Sequence, residues 1–141
     1  MNTKIKQSLI SGIIGTVVMT AIMFIAPMMG MPKMNPAAML SGMMGTPIVI
    51  GWLMHFMIGV IFAAFYVYLF HPKVNIKSKI LKGAVFGIAV FIFAQVAMAI
   101  MGAMMGGMPK PEGSMLLMAI GSIMGHVVFG VVVALLIKES K

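Results

Sequence analysis

Two histidines are the residues of this sequence best placed to do chemistry, because each falls inside a long apolar segment. His55 and His126 both begin the pattern His-x-x-x-Gly-Val-x-x-Ala. Small residues lie four positions before and after each histidine, and they are Gly51, Gly59, Ser122 and Gly130. Residues four apart share one face of a helix, so each histidine is predicted to lie in a stripe of small side chains.

Such a pair of imidazoles can serve three purposes, which the sequence leaves open. The rings can hydrogen-bond across a helix interface and only stabilise the fold. The stripes of small residues can instead hold a flat haem b, with His55 and His126 as axial ligands. Haem propionates usually pair with Arg or Lys, however, and the chain has no Arg. The third use is a copper site that also employs sulfur.

Methionine supplies that sulfur, since the chain holds 20 methionines in 141 residues. Many of them recur three or four residues apart beside two lysine-poor loops, which places pairs of thioethers on one helix face. Thioether sulfur is soft and uncharged and favours Cu(I). The candidate metal ligands are therefore the two histidines with Met31, Met34, Met39, Met43, Met44, Met101, Met104, Met105 and Met108. The alternative is that these methionines only fill gaps between helices.

Four apolar segments, at 9–30, 47–70, 80–105 and 115–137, must position these side chains. The chain is 62% hydrophobic and 9% charged, and each segment is long enough to cross a bilayer as a helix. Continuous rather than alternating hydrophobicity predicts an all-α polytopic membrane protein with four transmembrane helices. A further short helix is expected over 36–44, and Tyr66 and Tyr68 are expected at the inner membrane interface.

The positions of the lysines indicate how the protein is oriented in the membrane. Eight of ten lie before the first segment, between the second and third, or after the fourth. The positive-inside rule then predicts a multi-pass protein of the bacterial inner membrane with cytoplasmic N and C termini. The net charge of +8 therefore points to the lipid bilayer as partner and not to nucleic acid, because no basic groove with interleaved aromatic residues is present.

The two halves of the chain match at an offset of 71 residues. This offset aligns the two histidine motifs and also aligns Gly12 with Gly83. We expect one domain, 1–141, built from hairpin repeats at 1–72 and 73–141 and arranged as a four-helix bundle with a pseudo-two-fold axis. Pairs of glycines four apart, at 83/87, 102/106 and 121/125, would pack helices within the chain or join a homodimer.

Several of these motifs resemble a known group of proteins. Residues 51–63 read GWLMHFMIGVIFA, residues 126–130 read HVVFG, and residues 12–20 include Val-Met-Thr. Together they resemble small bacterial four-helix membrane proteins that are grouped as domains of unknown function. The resemblance implies a four-helix membrane protein and draws attention to the two histidines, but it implies no activity.

Catalysis is not expected from this chain. The two carboxylate side chains, Glu112 and Glu139, lie outside the apolar segments, and there is no cysteine. No Ser-His-acid or Cys-His arrangement can therefore form inside the membrane. The first interpretation is a binding or accessory protein that handles Cu(I). The alternatives are a bis-histidine haem b protein and a structural subunit, either as a homodimer or within a larger membrane complex.

Overall fold

The computed structural model describes residues 3–105 and 113–138, which are almost entirely helical and contain no β-strand. A 3-10 turn, Ala26–Met29, follows the first helix, and a π-helical turn, Tyr66–Phe70, joins the third to the fourth. The helices are α1 (Thr3–Ile25), α2 (Pro36–Met44), α3 (Ile48–Phe65), the single turn α4 (His71–Lys73), α5 (Lys79–Met104) and α6 (Met115–Leu136).

Four helical segments are long and apolar enough to cross a membrane. Mean hydropathy is 2.3 or 2.4 in the most apolar window of each. The segments are Thr3–Met29, Ile48–Lys73, Lys79–Met104 and Met115–Leu136. Many large apolar side chains on their outer surfaces are exposed, as lipid-facing residues must be. The prediction of an all-α protein with four such helices is therefore confirmed.

Local sequence signals set the ends of the short helix α2. Asn35 caps its start, where Oδ1 accepts a hydrogen bond from the Ala38 amide at 3.0 Å. Pro36 occupies the first helical position, which needs no amide hydrogen. Gly45 ends the helix with a φ of 63°, a conformation that favours glycine. The short helix expected over 36–44 is thus confirmed, and it packs against α3.

The long helices pack through close backbone contacts at glycines. Helix α1 lies between α3 and α6, and α5 packs against α6. A Cβ atom added at Gly12 would lie 2.6 Å from Val60 Cα in α3, and one added at Gly83 would lie 2.6 Å from Val131 Cα in α6. A real side chain cannot come so close to a backbone atom, so both crossings depend on glycine.

An aromatic cluster closes the bundle where α3 becomes the π-helical turn. Tyr66 is 1% exposed, and its ring lies 4.9 Å from that of Phe86 in α5. Tyr66 therefore faces the interior of the bundle, whereas Tyr68 is exposed. Both lie near the end of the span Ile48–Lys73, and their location at the inner membrane interface stays a prediction. A π-helical turn inserts an extra residue into the helix and changes which side chains face the core.

Lysines bind the helix ends at one end of the bundle, which we call the lysine-rich end and define by Lys79, Lys82 and Lys138. Lys82 Nζ donates to the His71 carbonyl at 3.3 Å, and Lys79 Nζ donates to the Ile137 carbonyl at 3.0 Å. Gln7 in α1 donates to the Lys138 carbonyl at 3.4 Å. Positive charge is favourable at these helix C-termini, so the lysines also stabilise the fold.

Alanine at the two glycine crossings should destabilise the protein. We expect Gly12→Ala and Gly83→Ala each to lower the free energy of unfolding by about 1–3 kcal/mol, because backbones must separate. Gly42→Ala in α2 is the matched control, since its added Cβ meets nothing within 4 Å. Denaturant titration in detergent, followed by circular dichroism, measures the change. Equal stability of all three variants would show that the crossings are not tight.

Candidate functional site

The stripe of small residues on α3 is buried, but neighbouring helices occupy the space beside it. A Cβ at Gly51 would meet the Ala37 carbonyl oxygen of α2, and one at Gly59 would meet Thr16 Oγ1 of α1. Both glycines therefore let other helices approach α3. A flat haem has no slot beside either residue.

The stripe on α6 is packed in the same way at its glycine. A Cβ added at Gly130 would meet the Gly83 carbonyl oxygen and would lie 2.6 Å from the Gly87 amide nitrogen, both in α5. Ser122 and His126, farther from the lysine-rich end, are only half-buried. Among the four small residues predicted to surround a cofactor, Ser122 accepts a side-chain hydrogen bond from His126 through its carbonyl oxygen.

His55 is held in place by α1. Its Nε2 atom shares a hydrogen bond with Thr20 Oγ1 at 3.0 Å, and the imidazole tautomer decides which group donates. The rings of Phe56 and Trp52 lie 6.1 Å and 6.2 Å from the imidazole. The side chain is buried, so this hydrogen bond satisfies a polar group that would otherwise face hydrocarbon.

His126 is held by its own helix. Its Nδ1 donates to the Ser122 carbonyl oxygen at 2.7 Å, since a carbonyl can only accept. In the neutral ring Nε2 then carries the lone pair and is the atom able to bind a metal. The Phe91 ring lies 5.8 Å away. Both histidines lie beside the same part of α1, since Thr20 contacts His55 while Met19 and Met23 pack at Gly125, the residue before His126.

Methionine side chains converge on a glycine notch in α6 formed by Gly121 and Gly125. A Cβ at Gly121 would meet the Met34 side chain and would lie 3.2 Å from Met31 Cε. One turn deeper, a Cβ at Gly125 would lie 2.7 Å from Met23 Cε, and Met19 is also in contact there. The sequence indicated the two glycines but assigned them to helix packing, and it did not identify Met19 or Met23.

The other candidate methionines differ in exposure. Met39, Met104 and Met105 are exposed, and Met104 reaches 81%. Met43 is buried on α2, and Met44 and Met101 are half-buried. The i, i+4 pair Met39/Met43 therefore has one side chain outside the packed bundle and one inside it. Met108 lies outside the described residues.

The donor groups described around the notch of α6 are histidine imidazoles and methionine thioethers. Within residues 3–105 and 113–138, no three His, Cys, Asp or Glu side chains lie together. The region does contain thioether sulfur, a soft donor that suits Cu(I).

The fold and these side chains define a small helical bundle whose four long helices are apolar enough to cross a membrane, with imidazoles and thioethers in its interior. The chain belongs to a family of unknown function, DUF6789, which matches residues 2–140. The resemblance drawn from the histidine motifs is thereby confirmed. No curated protein and no solved structure matches the chain.

Removal of the Thr20 hydroxyl should destabilise the bundle through His55. We expect Thr20→Val, which keeps the side-chain shape, to lower the free energy of unfolding by about 0.5–1.5 kcal/mol, because the buried imidazole loses its partner. Thr20→Ser retains the hydroxyl and serves as the control. Chemical denaturation in detergent measures both, and the prediction fails if Thr20→Val is as stable as Thr20→Ser.

Proposed function

We propose that this protein binds Cu(I) at the glycine notch of α6, through the thioethers of Met31, Met34 and Met23. The observation that carries the proposal is the convergence of Met31 and Met34 on one position, Gly121, with Met23 one turn deeper. Met31 and Met34 belong to the set of candidate metal ligands predicted from the sequence, whereas Met23 does not.

The chemistry of the donors favours Cu(I) over other metals. Thioether sulfur is neutral and soft, so it binds Cu(I) and discriminates against hard cations. It does not titrate near neutral pH, and the site would therefore keep its ligands over a wide pH range. His126 follows Gly125 at the deeper end of the notch, and its Nε2 offers a nitrogen donor there, which fits a path along which the metal is handed inward.

The notch also gives the ligands freedom to adjust. Met31 and Met34 lie in the non-helical segment between the 3-10 turn and α2, and glycine leaves no side chain between them and the α6 backbone. Methionine has three rotatable side-chain bonds and adapts to irregular spaces. A metal could therefore draw the sulfur atoms together while the long helices stay in place.

The packing around His55 and its neighbouring glycines supports haem b binding less well than Cu(I) binding. His55 Nε2 is bonded to Thr20, and neighbouring helices fill the space beside Gly51, Gly59 and Gly130. An axial role for His55 would need that hydrogen bond to break and the helices to separate. A purely structural role remains the main alternative, in which Met31 and Met34 only fill the notch.

Methionine replacement distinguishes copper binding from packing. We expect the purified protein to take Cu(I) from a chromophoric chelator such as bicinchoninate, and Met31→Leu/Met34→Leu to weaken binding more than about ten-fold, since even outer-shell changes at metal sites cost that much. Leucine preserves the apolar volume. The matched control is Met28→Leu/Met104→Leu, which removes two thioethers that are more than 80% exposed.

Two outcomes would contradict the copper proposal. Equal loss of affinity in both double variants would mean that thioethers act without a defined site. Failure of the unaltered protein to compete with the chelator at all would leave the structural role of these methionines.

We further propose that the lysine-rich end faces the cytoplasm of a bacterial inner membrane, on the positive-inside argument. In a chain without native cysteine, Lys33→Cys and Lys77→Cys place one thiol in each of two opposite loops. We expect a membrane-impermeant maleimide to label Lys33→Cys in intact cells and Lys77→Cys only after lysis. Labelling of Lys77→Cys in intact cells would reverse this orientation.

We also propose that residues 1–72 and 73–141 are duplicated hairpins. Gly12 faces Gly59 and Val60, and at the offset of 71 residues Gly83 faces Gly130 and Val131. The same offset relates the neighbours of the two histidines. Thr20 contacts His55 and Phe91 contacts His126. Matched contacts at matched positions support a common origin of the two helix pairs.

A further inference from the structure

Gln95 is a polar residue in the apolar surface of α5. It lies about 24 Å along the helix from Lys79 and about 14 Å from its end at Met104, well inside the span. Its side chain is exposed and makes no hydrogen bond to any described residue. The amide therefore points out of the bundle at a depth where a membrane contains hydrocarbon.

An amide in that position needs a partner. Transfer of an unpaired amide from water to an apolar medium costs about 2–7 kcal/mol, and acyl chains offer neither donors nor acceptors. Polar side chains on the surface of membrane helices accordingly mark contacts with other helices. An exposed amide at this depth favours a contact between this face of α5 and another helix.

The described part of the chain supplies no such helix. The residues one helical turn from Gln95 are Phe91, Ile92, Met98 and Ala99. Ile92 and Ala99 are exposed and apolar, whereas Met98 is half-buried and Phe91 packs on the His126 side. The two threonine hydroxyls within the spans are engaged elsewhere: Thr16 donates to the Gly12 carbonyl at 2.7 Å, and Thr20 is bonded to His55.

We propose that two copies of this protein pair through this face of α5, with their Gln95 amides hydrogen-bonded across a two-fold axis along the membrane normal. A primary amide is both donor and acceptor, so an identical glutamine is a complete partner for it. A two-fold axis brings the same residue of each copy together and keeps both copies in the same orientation. Ala99, one turn away, is small enough for the two helices to approach.

Cross-linking in a chain without native cysteine tests the pairing while leaving Gln95 in place. Ala99→Cys puts a single thiol one turn from Gln95. Leu53→Cys puts one on α3, at a residue that is 66% exposed, and serves as the control. With a short bis-maleimide, in vesicles at low protein density and in native membranes, we expect Ala99→Cys to form a dimer and Leu53→Cys to stay monomeric.

The role of the amide is tested by adding Gln95→Leu to the Ala99→Cys protein. We expect the association constant to fall about ten-fold, the effect of losing an interhelical hydrogen bond in a membrane, and Gln95→Asn to restore part of it. Undiminished cross-linking in Gln95→Leu would overturn the proposal. So would equal cross-linking at Leu53→Cys, or a cross-linked product in native membranes whose mass is not twice that of this chain.

Discussion

The close approach of helix backbones at glycine is the constraint on which this structure depends. In a membrane, helices gain little by burying leucine against leucine, because acyl chains are equally apolar. Association then relies on dispersion contacts and weak backbone interactions that act only at short range. Gly12 and Gly59 let the backbones of α1 and α3 come within this short distance of each other. Gly83 and Gly130 do the same for α5 and α6.

Polar side chains occupy the positions that this packing leaves in the bundle interior. His55 reaches Thr20 because the crossing of α1 and α3 holds the two helices together at the next turns. His126 instead uses the carbonyl of Ser122 in its own helix, which leaves Nε2 available. The two imidazoles therefore differ in chemical capacity although their sequence contexts are alike. One ring is committed to structure, and the other retains a free lone pair.

Glycine motifs of one spacing serve two different purposes in this fold. The pair at 83/87 receives the backbone of α6, whereas the pair at 121/125 receives methionine side chains from the α1 side of the bundle. Spacing alone is the same in both, so sequence reasoning assigned both to helix contact. The distinction matters for function, because a notch filled by flexible thioethers can rearrange around a ligand and a notch filled by backbone cannot.

Composition and local signals were enough to predict the helices, the four apolar spans and the short helix α2, and they indicated that His55 lies inside a span. These follow from composition, capping residues such as Asn35, and the period of one helix, all of which act locally. The contacts of each helix face followed only from the fold. Helices α1 and α2 fill the stripe beside His55, Tyr66 is buried at the start of the π-helical turn, and Met23 reaches the same notch of α6 as Met31 and Met34. These contacts depend on how separate helices cross, and residues far apart in the chain determine each crossing together.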